Sequence, residues 1–149
     1  MRSEPRTLRA LTPQDAALVA AIEAACFAEP WQEPDIRACL CAAVNRGVLV
    51  QEEGVPCGFL LWQSIHPEWE LLRTAVLPAY RHRGLGRTLL THVQALVAQE
   101  GYTHGYLEVR AGNRAAQSLY RCCGFVELSR RPAYYRAPTE DALVMVYYS

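Results

Sequence analysis

An apolar run, Leu71-Leu72-Arg73-Thr74-Ala75-Val76, leads into Arg81-His82-Arg83-Gly84-Leu85-Gly86, and a helical repeat begins at once. This junction constrains the fold more than any other stretch, because it requires a strand, a glycine-broken turn and a helix in that order. Such a turn aims several backbone N–H groups and the positive end of a helix dipole at one point in space. Gly84 and Gly86 carry no Cβ, so a bulky anion can come close to the main chain. A phosphate or pyrophosphate is the natural guest. The G-x-G pair is common by itself, so its surroundings must decide what it serves.

Thr7 to Leu11 reads as a strand. Thr12-Pro13 then offers an N-cap and a proline at the first helical position, with Asp15 in the first turn. The helix that follows, to about Phe27, presents Ala17, Leu18, Ala21, Ile22 and Ala25 as its apolar face. A second helix is expected from Pro34 to Arg46, stopped by Gly47. Val48–Gln51 and Cys57–Ile65 read as a hairpin, and Glu70–Val76 as the strand before the glycine turn. The next helix, Leu85 to about Glu100, repeats Leu85, Leu89, Val93, Leu96 and Val97 on one face. Tyr106–Arg110 is a short strand, and Asn113 caps a helix from Arg114 to Cys122 that ends at Gly124. Phe125–Arg130 and Leu143–Tyr147 close the chain as strands. The order β-α-α-β-β-β-α-β-α-β-β predicts an α/β fold with a mixed sheet and helices on both faces.

A length of 149 residues fits a single domain, 1–149, with its own core. Fifteen basic and fifteen acidic residues give a formal net charge of zero, with no block of like charge. That argues against a nucleic-acid face as the main function. No apolar run approaches a membrane span, and Met1–Pro5 lacks the apolar stretch of a signal peptide, so a cytoplasmic protein is expected. The six cysteines include no C-x-x-C and the four histidines no H-x-x-x-H, so no metal is expected. The thiols read as small packing groups. A nucleophilic role for Cys122 or Cys123 is disfavoured because cysteines at a helix end usually pack.

The element order, with R-x-x-G-x-G opening the third helix, resembles the GCN5-related N-acetyltransferase superfamily over nearly the whole chain. Within it, the bacterial ribosomal-protein alanine N-acetyltransferases are similar at four places. These are Pro30-Trp31; Ala75 through Arg87; Leu107-Glu108-Val109-Arg110-Ala111-Gly112-Asn113 with Ser118-Leu119-Tyr120 and Gly124-Phe125; and Arg130-Arg131, Tyr134-Tyr135 and Glu140-Asp141-Ala142. The resemblance implies a central mixed sheet of about seven strands flanked by four helices, and acetyl-CoA as co-substrate without a metal. Three features depart from the family. Arg73 and Thr74 replace a small polar and an aliphatic residue, Leu77 replaces an acid, and Pro132–Thr139 differs in length and content. All lie near the acceptor groove.

Amide formation from a thioester needs a neutral amine, a polarised carbonyl and a proton for the thiolate. An α-amine, with a reference pKa of about 8 against about 10.4 for lysine, is the easier acceptor to deprotonate. Strand alternation puts Tyr106, Glu108 and Arg110 on one face. By itself Glu108 reads equally as a solvated carboxylate; the resemblance makes it the general base. Tyr120, otherwise a packed helix tyrosine, becomes the acid. The resemblance implies that His82, Arg83, Gly84, Leu85, Gly86 and Arg87 wrap the pyrophosphate. It likewise implies that the backbone of Thr74, Ala75 and Val76 pairs with the pantetheine arm, and that Asn113 contacts the cofactor besides capping its helix. Pro30, Trp31, Arg131, Tyr134, Tyr135, Glu140 and Asp141 are candidates for a peptide groove, or else an aromatic hairpin packing its own edge. The expected partner is a protein N-terminus, that of a ribosomal protein, with no direct nucleic acid or membrane contact. Alternatives are a small amine or lysine acceptor, or a non-catalytic regulatory module that binds acetyl-CoA. An exposed C-terminal edge strand allows a monomer or a weak dimer.

Overall fold

The computed structural model describes residues 6–136 and 138–149. Its elements run β1 (Thr7–Ala10), α1 (Ala16–Cys26), α2 (Glu33–Cys41), β2 (Asn45–Glu52), β3 (Val55–Ile65), β4 (Glu68–Val76), α3 (Leu85–Gln99), β5 (His104–Arg110), α4 (Arg114–Cys122), β6 (Val126–Tyr135) and β7 (Glu140–Tyr148). The strands form one sheet in the order β1-β2-β3-β4-β5-β7-β6. Only the β4–β5 pair is parallel; the helix α3 makes that crossover.

Residues alternating along the strands supply two cores. Leu60, Trp62, Trp69, Leu71, Leu107 and Met145 face Leu85, Leu89, Val93 and Val97 of α3 and Tyr120 of α4. Leu49, Phe59 and Leu61 face Val19 and Ile22 of α1 and Ile36 and Leu40 of α2. No helix among the described residues is long and apolar enough to cross a membrane.

One irregularity in the sheet creates the site. β4 and β5 pair over only three rungs, Glu68 with His104, Trp69 with Gly105 and Glu70 with Tyr106. Beyond them β4 stays on β3 as far as Val76, and β5 stays on β7 as far as Arg110. The pairing of β4 with β3 slips at this point, opposing Leu71 to Trp62 and Arg73 to Leu61, so Leu72 is a bulge. The two halves of the sheet therefore diverge and leave an open split. Gly105 is required at the middle rung because an added Cβ would collide with the Trp69 ring.

Three expectations need correction. Helix α2 ends at Cys41, and Gly47 is a buried residue of β2. A Cβ there would sit 2.7 Å from both Leu11 and Leu61, so the glycine serves sheet packing, while Asn45 Nδ2 caps the Cys39 carbonyl at 3.0 Å. Helix α1 starts after a short 3₁₀ turn at Pro13–Asp15 and buries Ala16, Val19, Ile22 and Glu23, leaving Ala17, Ala21 and Ala25 exposed. Alanine on every side removes the periodic contrast that selects a face. β6 runs on to Tyr135 through Pro132. It is an edge strand, where a missing N–H is tolerated, and its register with β7 breaks between Arg131 and Tyr135.

Candidate active site

The split opens into a cleft of about 550 Å³. Leu72, Arg73 and Thr74 of β4 line one side, and Glu108, Val109 and Arg110 of β5 the other. Tyr120 of α4, Asn113 at its cap, Tyr135 of β6, Glu140 of β7 and residues Phe27–Glu29 complete it. The alternation of β5 holds: Leu107 and Val109 are buried in the core, and Glu108 is half-buried with its carboxylate on the open face. Arg131 Nε lies 3.1 Å from Glu108 Oε2. The Tyr134 phenol also meets this carboxylate, which raises its pKa.

Tyr120 is 6 % exposed. Burial, reinforced by Tyr135, pushes its phenol up to about 12. Among the described residues no group bonds its hydroxyl. The ring is fixed edge-on against Phe125 at 6.1 Å. Asn113 Oδ1 accepts from Ala116 N–H at 3.2 Å, the cap read from the sequence. Glu140 is engaged on two sides, by Arg110 Nη1 at 3.2 Å and by the Gly112 N–H, so it braces the loop before α4 while facing the cleft. Arg110 in turn lies over the Tyr135 ring at 4.3 Å.

From the end of β4 the chain passes through Pro78–Tyr80 to the glycine turn. Arg81 N–H bonds Pro78 O and Thr88 N–H bonds Gly84 O. Between them, the six amides of His82 to Arg87 have no protein partner among the described residues. Gly84 caps α3 at φ +77°, and His82 also takes a left-handed φ of +65°. The result is a concave run of unpaired donors at a helix start, a strong anion cradle. Arg83 is held by Glu52 at 2.9 Å and stacks on Tyr80, while Arg6 binds Glu52 and the Arg83 carbonyl. Along β4, Thr74 Oγ1 donates to Phe59 O, and Val76 O already accepts from Arg81 Nε at 3.0 Å. Ala75 pairs with Phe59 on the β3 side.

The cleft thus brings together Thr74, Glu108, Asn113, Tyr120, Tyr135 and Glu140. Arg131 and Tyr134 stand at its rim, stacked on one another at 5.3 Å. Asp141 is committed elsewhere, to Arg130 and the Ala133 N–H. Trp31 lies behind the wall, 5.0 Å from the Arg73 guanidinium. Sequence reasoning missed Glu23, Glu70 and Phe27, and placed Arg73 near the acceptor groove without its partner. The buried Glu23 and the part-exposed Arg73 form an ion pair fifty positions apart. Glu70 stands at the last β4–β5 rung beside Glu108, its pKa raised by burial and then by that like charge. Phe27 lines the cleft. The one available signal was Glu23, a carboxylate on an otherwise apolar helix.

In chemical terms the cleft sets a carboxylate on β5 and a protonated phenol on α4 around one gap, close to an anion cradle. Residues 16–125 match the sequence model of the acetyltransferase (GNAT) family. The N-alpha-acetyltransferase RimI of Mycobacterium tuberculosis is 36% identical, over 96% of this chain and 92% of that protein. The [ribosomal protein bS18]-alanine N-acetyltransferase of Escherichia coli K12 is 34% identical, over 93% and 95%. The crystal structure of the ribosomal-protein-S18-alanine N-acetyltransferase from Escherichia coli superposes with a TM-score of 0.91, covering 96% of this chain and 93% of that one.

Proposed function

Because the chain belongs to the GNAT acetyltransferase family and is an acyltransferase, we propose that it transfers acetyl from acetyl-CoA directly to a protein N-terminus. The acceptor in this reading is the N-terminal alanine of a ribosomal protein, modified in the cytoplasm by a single-domain enzyme. The observation that carries the reading is the cleft at the β4–β5 split, which gathers Glu108, Tyr120 and Asn113 beside six unpaired amides. Of the two named relatives, each matched over more than nine-tenths of this chain, the Mycobacterium tuberculosis protein supports an α-amine acceptor and the Escherichia coli protein supports the ribosomal-protein alanine.

Acetyl-CoA supplies the acyl group as a thioester. The amides of His82 to Arg87 take its pyrophosphate, because phosphate oxygens satisfy donors that the protein leaves unpaired. The edge of β4 from Thr74 to Val76, left free by the split, pairs with the extended arm as an added strand would. This aims the thioester into the gap between β5 and α4. Glu108 takes the proton from the incoming ammonium, directly or through water, which frees the lone pair that attacks the carbonyl. Tyr120, protonated well beyond neutral pH, gives its proton to the departing sulfur, and the second proton lost by the nitrogen as the amide forms restores the phenol. Arg131, Tyr134, Tyr135 and Glu140 bound the side from which the peptide enters, and Trp31 backs the wall through its contact with Arg73. An α-amine suits this site because it is neutral at lower pH than a lysine side chain.

The test is intact-mass analysis of acetyl-CoA, the protein and three acceptors: alanine-starting ribosomal-protein peptides, the same peptides with blocked α-amines, and polyamines. One acetyl on the free alanine α-amine alone, lost in Tyr120→Phe, is the expected result. Acetylation of the blocked peptides or of polyamines would discard the acceptor and keep the chemistry. No product on any amine would discard the reading.

A further inference from the structure

We infer that Arg73 is the positioning residue of the acceptor side of the cleft, acting through Glu23 to fix the segment between α1 and α2; this rests on the transferase reading above. Glu23 is wholly buried. Its Oε2 accepts from Arg73 Nε at 2.8 Å, and its Oε1 from Arg73 Nη2 at 2.8 Å and from the Trp31 N–H at 2.9 Å. The fork geometry is one that arginine provides and lysine does not. The same guanidinium lies 4.2 Å from the Phe27 ring and 5.0 Å from the Trp31 ring, and Nη2 reaches Glu29 O at 3.5 Å. One side chain of β4 therefore touches three residues of the connecting segment.

Trp31 also packs against the core formed with Leu49, Phe59 and Leu61, but the polar ties of the segment run through this pair. Among the described residues, no backbone group of residues 28–31 bonds the sheet except through Glu23 and Arg73. Yet Phe27, Ala28 and Glu29 form a wall of the cleft, opposite Glu108 and Tyr120. Arg73 itself leaves β4 immediately after the bulge, where the sheet splits. The pair thus sets how far the wall stands from the reacting centre. A part-buried pair of this kind contributes little net stability against an apolar replacement, but it fixes geometry. Its chemistry also neutralises a cation that would otherwise face an incoming ammonium.

Two variants test it: Arg73→Lys, which keeps charge without the fork, and the double variant Glu23→Gln with Arg73→Gln, which leaves no unpaired buried charge. Steady-state kinetics with an alanine-starting peptide are combined with hydrogen exchange of the amides of residues 28–31. The double variant should raise the acceptor KM about tenfold or more, while KM for acetyl-CoA stays within about twofold, because only the wall moves. Exchange should quicken in residues 28–31 and stay unchanged in α3. Arg73→Lys should fall between. An unchanged acceptor KM in the folded double variant would overturn the inference, as would a parallel rise of both KM values. If the wild-type protein acetylates no amine, the transferase reading fails by itself. Exchange then still decides the hold on the wall: faster exchange in the double variant supports it, and unchanged exchange overturns it.

Discussion

Removing a single oxygen from the cleft, by Tyr120→Phe, should separate activity from stability. The hydroxyl has no bonding partner among the described residues, and Tyr120 is only 6 % exposed. Burying a hydroxyl without a partner costs about 1–3 kcal/mol, and this one faces the cleft, so the recoverable part is at most about 1 kcal/mol. The variant should therefore melt at the wild-type temperature or up to about 4 °C higher at pH 7. Turnover should nonetheless fall at least about tenfold, a loss of about 1.4 kcal/mol in the transition state. The alkaline limb of stability gives a second reading. The folded pKa of about 12 stands above the reference value of 10, so the contribution is fully present below pH 10 and is lost as pH rises through 12. Two pH units correspond to about 3 kcal/mol, an upper figure for one buried phenol. Urea titrations at pH 7, 10 and 11.5 should show the wild type losing more stability than Tyr120→Phe. Free-thiol release from acetyl-CoA gives the rates. A variant that melts several degrees lower at pH 7 would show that the hydroxyl is bonded, and turnover within twofold of wild type would remove Tyr120 from the chemistry.

Other substitutions probe the remaining parts. Glu108→Gln keeps shape but cannot accept a proton, so turnover should fall about a hundredfold. Acetyl-CoA affinity, measured by calorimetry, should hold within about twofold, and wild-type rates from pH 6 to 9 would refute the assignment. Asn113→Ala removes the bond to Ala116 N–H and should cost about 1 kcal/mol by urea unfolding, with weaker acetyl-CoA binding if the same amide meets the cofactor. Gly105→Ala drives a Cβ into the buried Trp69 ring and should cost about 1–3 kcal/mol, visible as a lower urea midpoint at unchanged slope.

The parts of the site that were legible in the sequence act over short range. The glycine turn, the apolar face of α3, the Asn113 cap and the alternation around Glu108 each follow from neighbours within one turn or one strand, and each stands where the pattern puts it. The failures came where local signals were flat or ambiguous. Gly47 can end a helix as readily as it can admit Leu11 and Leu61, and only the packed sheet decides. α1, rich in alanine, has no preferred face until Glu23 finds its partner. The strand was expected to stop at Arg130, because Pro132 disguises the edge strand that carries Tyr134 and Tyr135.

The Glu23–Arg73 pair shows where such reading stops and why. A carboxylate on an apolar helix demands a cation, since an ion buried alone is too costly to keep. The chain offers fifteen basic residues, all arginine, and sequence gives no ground for choosing among them. The choice is made by the β4 bulge, which skips Leu72 and turns Arg73 toward α1. That bulge sits where β4 leaves β5, so the irregularity that opens the cleft also delivers the residue that fixes its wall. Opening the sheet and holding its lip are then one structural event, and a change that repaired the β4–β3 register would remove both.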